Sequence, residues 1–177
     1  TLILVTGDHE TGGLTIGFAG TDYETYFQYL QSQKISYAKY DSDYVAKYVE
    51  NKAKFEDVLK DIKALFGLVT ADDPDAAKNP GLILSDYELK QLRDSYELTL
   101  ATALSGTYIS NTSDDRYLSY GYQSKPLTVT ITHILNHKAG VDFTSYAHTG
   151  LPVAVFAQGA GKDLFAGYYD NTDIYRM

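Results

Sequence analysis

The chain reads as an α/β protein: partial sheet segments at its two ends, bracketing a large helical insertion. Three observations predict this. Apolar runs at Leu2-Ile3-Leu4-Val5 and Val153-Ala154-Val155-Phe156-Ala157 carry the signature of buried strands. Between them, apolar residues recur at helical spacing. Tyrosine is concentrated in the same stretch, with 13 of the 17 tyrosines falling between residues 20 and 126.

The first run is short, wholly apolar and followed by Gly7, as expected of a strand buried on both faces in a parallel sheet. Directly after it come Asp8-His9-Glu10-Thr11-Gly12-Gly13. Open α/β sheets bind ligands beyond the carboxyl ends of their strands, which is where Asp8 and His9 fall. A carboxylate oxygen beside an imidazole nitrogen is a pair that zinc accepts. The alternative is that Asp8 caps a turn and His9 is a hydrogen-bonded core residue. Leu14 to Phe18 alternates as a second strand would.

From Gly20 the periodicity becomes helical. Thr21-Asp22-Tyr23-Glu24 and Ser85-Asp86-Tyr87-Glu88 both fit the capping box, in which a hydroxyl and a carboxylate satisfy the first free N–H groups of a helix. The first box predicts a helix with Tyr26, Phe27, Tyr29 and Leu30 on one side. A second helix near Ser42 carries Tyr44, Val45, Tyr48 and Val49. A third presents Phe55, Val58, Leu59, Ile62 and Leu65 or Phe66, and stops at Gly67. The Ser85 box opens a fourth, with Leu89, Leu92, Tyr96, Leu100 and Ala103, ending at Gly106. Residues 70–81 and much of 105–125 read as loop.

A further helix is expected over 127–138 with Ile131, Ile134 and Leu135 inward and Gly140 as its stop. Its β-branched stretch Thr128 to Thr132 leaves the start open. The strand 153–157, a turn at Gly159-Ala160-Gly161 and a closing segment 170–177 follow. The division is therefore 1–20 with 127–177 as α/β segments, and 20–126 as the Tyr-rich insertion.

Composition excludes several functions. The net charge is −8, with a pI near 4.8, so no basic surface exists to neutralise a nucleic-acid backbone. The lack of cysteine excludes disulfides and thiolate metal sites. No apolar stretch approaches the 18 residues of a membrane span. A small phosphate ester would need local positive charge, which bound metal supplies. Thr1 opens almost at once into a strand, and we expect a longer protein with an N-terminal part missing here.

GDHETGG at the front, His148-Thr149-Gly150 ahead of the second apolar run, and Asp170-Asn171-Thr172-Asp173-Ile174 occur in that order. This succession resembles the C-terminal part of bacterial alkaline phosphatases, two-zinc, one-magnesium phosphomonoesterases. The match is clear over about residues 1–20 and 130–177. The resemblance implies that Asp8 and His9 bind the zinc that activates a serine nucleophile. It implies that His148 binds the zinc that holds the leaving oxygen and later the attacking water. Two metals about 3.5–4 Å apart clamp both apical oxygens of an in-line displacement.

It implies further that the nucleophile, an Asp bridging zinc and magnesium, a phosphate-gripping Arg and more ligands lie earlier in the protein. Ser110, Ser113, Ser119 and Ser145 stand outside the family's Asp-Ser pattern, so this polypeptide by itself is expected to be inactive. The resemblance suggests export to the periplasm or cell exterior, a homodimer, and an insertion, called a crown, over the active-site approach. The tyrosines fit that interface role and equally a core for the helices.

His133 and His137, spaced i, i+4 on one helix face, form the internal rival as a zinc pair, without the Glu of a metalloprotease motif or an evident third ligand. Glu10 reads as a partner to a ligand rather than a base. Gly12 and Gly13 read as a tight backbone passage beside the site. Two other functions remain open: an interaction or dimerisation module dominated by the insertion, and another hydrolase of the superfamily such as a phosphodiesterase or sulfatase.

Overall fold

A computed structural model describes residues 1–106, 112–121 and 125–177. Ser110 and part of the expected 105–125 loop lie outside the described residues. The chain forms two compact units. One comprises Thr1–Leu14 with Phe143–Met177, the other Thr15–Asp142.

In the first unit, β1 (Leu2–Thr6) pairs with β4 (Val155–Gly159). The pairing is antiparallel, with Leu2 opposite Gly159 and Thr6 opposite Val155. This corrects the expectation of strands buried in a parallel sheet. Ile3 is 54% exposed, Val5 60% and Phe156 67%. An all-apolar run reports that both faces of a strand suit burial; the described residues give β1 one partner strand and no covering layer. The second strand begins at Val155, two residues later than expected.

After β4, Gly161 at φ 82° starts a 3-10 helix, Lys162–Phe165. The chain closes in another, Asn171–Arg176. Asp170 caps it: its side chain accepts from Thr172 N, and Asp173 accepts from Asp170 N.

The other two-stranded sheet joins β2 (Leu14–Ile16) to β3 (Val141–Phe143). In the helical unit the first capping box does not form. Thr21 donates its hydroxyl to Phe18 O, Glu24 N donates to the Thr21 carbonyl, and Asp22 takes a left-handed φ of 53°. These bonds make a turn, and the chain becomes helical only as a 3-10 helix over Phe27–Ser32.

The expected second helix begins earlier, as α1 (Tyr37–Tyr40), widens into a π segment over Asp41–Val45, and continues as α2 (Ala46–Asn51). There Asp41 accepts from Thr128 Oγ1 at 2.5 Å and pairs with Lys125 at 3.0 Å. Then come α3 (Phe55–Phe66) and α4 (Asp86–Ser105). Gly67 and Gly106 stand left-handed just past their ends. The Ser85 box forms, with Ser85 Oγ accepting from Glu88 N and Glu88 from Ser85 N. Residues 70–81, expected as loop, include short 3-10 turns at Ala76–Lys78 and Pro80–Leu82.

Two helices follow, α5 (Asp115–Tyr120) and α6 (Pro126–Ala139). Thr130 and Thr132 donate their hydroxyls to the carbonyls four residues back, so the β-branched run is accommodated inside α6. Burial outweighs its low propensity, since Leu127, Ile131, Ile134 and Leu135 all face the core. The sequence pattern grouped α6 with the end segments; the helix packs along α4 in the helical unit.

Val58, Ile62, Phe66, Leu92, Leu127, Ile131 and Leu135 make the centre of this core. Tyr40, Tyr48 and Tyr96 fill it as well, and the last two place their hydroxyls on Asp61 and on Ala53 O. Tyr23 and Tyr87 stand in solvent. No helix among the described residues is long and apolar enough to cross a membrane.

His133 and His137 stack on α6 with ring centroids 5.9 Å apart, and His137 Nε2 lies 3.0 Å from Asp142. Phe18 covers the His137 ring at 3.9 Å. Burial first, and the neighbouring His137 second, push the His133 pKa below its ordinary 6.5; Asp142 opposes them. The folded chain therefore resists protonation of His133 more than the unfolded chain does. That contribution is intact above about pH 6.5 and is lost as the pH falls below it. Urea titrations at pH 7.5 and 5.5 should show a larger stability drop for the wild type than for His133→Gln. Equal drops would refute the assignment.

Candidate metal centre

β1 delivers the chain through Gly7 to Asp8 and His9, where a tight local bond turns the backbone: His9 N donates to Asp8 Oδ1 at 3.0 Å. His9 Nδ1 lies 2.9 Å from the Glu10 carbonyl. A carbonyl can only accept, so Nδ1 carries the hydrogen and the neutral ring keeps its lone pair on Nε2. That atom faces Asp8 Oδ2 at 3.5 Å.

Two acceptors in this position can share a cation between them, either a proton or a metal. Ligand atoms each about 2.0 Å from a tetrahedral zinc stand about 3.3 Å apart, close to the separation seen. A backbone carbonyl fixing the far ring nitrogen is also the usual support of a metal-bound histidine.

His148 lies against this pair. Its ring stacks on His9 with centroids 3.4 Å apart and planes 26° from parallel. The three residues singled out by motif are thus brought together, although 139 positions separate His9 from His148. They do not form a closed site: no group of three His, Cys, Asp or Glu among the described residues is arranged to hold a metal. The donor chemistry fits zinc; the number of donors does not complete it.

A cleft of about 900 Å³ opens beside these residues, lined by Asp8, His9, Glu10, Val153, Tyr168 and Asp170 among others. Its ionised lining is carboxylate, with no Lys or Arg. A phosphate ester entering it would meet like charge, which bound cations would reverse.

Sequence reasoning missed how the surrounding loops hold together. Gly12 N donates to Ala147 O at 2.9 Å, and Gly12 O accepts from Thr144 N and Ser145 N. Glu10 accepts from Gly13 N at 2.8 and 2.9 Å, from Leu14 N, and from the Thr149 hydroxyl. The Thr149 bond, above all, lowers the Glu10 pKa, with the backbone N–H groups adding to it against partial burial. Thr149 was visible only as part of a motif, and nothing local signals its partner.

Among the described residues, the serines that follow an aspartate, and Ser145, are engaged in local hydrogen bonds. Asp41-Ser42 and Asp94-Ser95 carry the dipeptide, but both serines sit on helical segments. Their hydroxyls donate to Lys39 O and Leu92 O respectively. Ser145 Oγ accepts from Ala147 N in a loop turn.

The alkaline phosphatase family profile matches residues 1–177. Alkaline phosphatase 4 of Bacillus subtilis (strain 168) is 26% identical over 173 residues, which cover 98% of this chain and 28% of that protein. Alkaline phosphatase 3 of the same organism is 26% identical over 174 residues, with the same coverage. The chain therefore spans well under a third of the length of these relatives. A crystal structure of a cold-active alkaline phosphatase from the psychrophile Shewanella sp. superposes with a TM-score of 0.62 at 24% identity. It covers 99% of this chain and 32% of that one, which supports the α/β fold. Matched by one family profile from its first residue to its last, the chain belongs to the alkaline phosphatase family.

Proposed function

We propose that this chain supplies part of a two-zinc phosphomonoesterase centre, with Asp8 and His9 as ligands of one ion and His148 of the other. The observation that carries this reading is the stacking of His148 on His9, whose Nε2 lone pair faces Asp8. Bound zinc would supply positive charge for the phosphate and a water acidic enough to ionise near neutral pH.

The chain's own residues perform the holding. The Asp8 carboxylate and His9 Nε2 offer two donors on one side, and the Glu10 carbonyl fixes the His9 tautomer. The face of His148 restrains the His9 plane. Three donors close neither of two sites, since a catalytic zinc takes about three protein ligands. The nucleophile, the remaining ligands and a magnesium site belong, on this reading, to further chain in a longer enzyme, and the 177 residues alone do not turn over phosphate esters. The longer enzyme would act on phosphate monoesters, outside the cytoplasm, as a homodimer.

Zinc titration by calorimetry tests the assignment. The chain should bind with a dissociation constant on the order of micromolar or weaker, as expected of an incomplete ligand set. His9→Ala should abolish that binding, and tight binding that survives His9→Ala would falsify the ligand role. A longer protein containing this chain that cleaves a sulfate ester or a diester far faster than a monoester would assign it to another branch of the superfamily.

A further inference from the structure

Glu10 and Thr149 each follow a proposed ligand, His9 and His148, and their side chains meet. We infer that this pair is a clamp holding the two ligand-bearing loops in register, which makes Glu10 and Thr149 positioning residues of the metal centre. The inference rests on the zinc reading above and adds two residues that act through the ligands rather than as ligands.

Geometry leaves Glu10 little capacity for another role. Its Oε1 accepts from Gly13 N and Leu14 N, and its Oε2 from Gly13 N and the Thr149 hydroxyl. A carboxylate so engaged is a poor ligand or base, because each new bond requires giving up an existing one. The Thr149 hydroxyl has one hydrogen, and it goes to Glu10. The same oxygen also accepts from Leu151 N at 3.4 Å.

The clamp acts on segments already tied through Gly12, whose N–H reaches Ala147 O, one residue before His148. The two loops are thus linked on both sides of the histidine stack. Without the Glu10–Thr149 bond, the side nearest Thr149 is released. His148 could then drift from His9 while Gly12 still holds the loop on Ala147. Small errors in ligand position are costly at a metal site, and outer partners of this kind commonly change affinity 10–100-fold.

Two measurements on the 177-residue chain test this, with Cu-free Co²⁺ as a spectroscopic stand-in for zinc. In the metal-free chain, Thr149→Val should speed amide hydrogen exchange by about tenfold or more at Gly13 and Leu14, whose N–H groups rest on the Glu10 carboxylate, whereas Thr149→Ser should not. In the cobalt titration, Thr149→Val should weaken binding about 10–100-fold and alter the visible absorption of the bound ion. Thr149→Ser should restore both. Glu10→Gln should resemble Thr149→Val, and the double variant should be no worse than either alone.

Unchanged exchange in Thr149→Val overturns the clamp. Faster exchange with unchanged cobalt binding overturns the positioning role and leaves a purely structural bond. If His9→Ala leaves cobalt binding intact, the zinc reading falls and the positioning role with it, while the exchange arm still judges the clamp.

Discussion

Lys138→Met is expected to cost the helical unit about 1.5–3 kcal/mol of unfolding free energy, the range for a half-buried hydrogen bond to a charged group. Lys138 lies near the end of α6 with its side chain 11% exposed, and Glu88 in the first turn of α4 is 18% exposed. The ammonium group donates to Glu88 Oε2 at 2.9 Å and to Ile83 O at 2.7 Å. Glu88 Oε2 also accepts from Ser85 N, so one oxygen serves both the helix cap and the bridge between helices.

Methionine fills the stem's volume but leaves a carboxylate with no counter-charge and a carbonyl without its donor. Lys138→Met with Glu88→Gln should recover much of the loss, because the amide can still reach Ser85 N and carries no charge. Chemical denaturation of the wild type, Lys138→Met, Glu88→Gln and the double variant measures these losses. A loss below about 1 kcal/mol, or a double variant as costly as the two single losses added, would refute this account.

Gly13→Ala should loosen the proposed metal centre by at least about tenfold in zinc affinity, comparable to loss of a residue that supports a ligand. Gly13 has φ +65°, and a Cβ there would lie 2.1 Å from Thr144 Oγ1 and 3.1 Å from Thr149 Cγ2. The left-handed backbone costs an alanine about 1–2 kcal/mol, and the collision adds to it. Relief by backbone movement would pull Gly13 N from Glu10 and shift the loop carrying His9. Adding Thr144→Ala removes the nearest atom but not the torsional strain, so affinity should return only in part. Calorimetric titration of the three proteins decides; full binding by Gly13→Ala would show that the loop has room to yield.

How far the sequence was legible depended on whether its signals were local. The stripe Phe55, Val58, Ile62 and Phe66, the Ser85 box and the stops at Gly67, Gly106 and Gly140 describe single helices, and those helices form. Thr21 carried the same box letters, yet its hydroxyl turned back to Phe18 O and Asp22 went left-handed. A cap motif cannot say whether the preceding residues will compete for its hydroxyl.

The candidate site was legible through motif resemblance, because no periodicity relates His9 to His148. Glu10 stood out only as the neighbour of His9; its bond to Thr149 and the backbone ties through Gly12 depend on loops distant in the chain. β1 showed the same limit from the other side: Leu2 to Val5 announce a need for cover and say nothing of its source.

The ribbon of β1 and β4 has a consequence for handling the chain. Each strand presents an outer edge with no strand beside it among the described residues, and the paired apolar side chains of Val5 and Phe156 are exposed on a face of the ribbon. Such an edge is a template on which further chains can pair and grow. Mutual repulsion from the net charge of −8 opposes that growth. At physiological ionic strength the repulsion reaches only about 8 Å. Concentrated, salted preparations will therefore favour fibrous or amorphous precipitates, and dilute ones of low salt will stay clear.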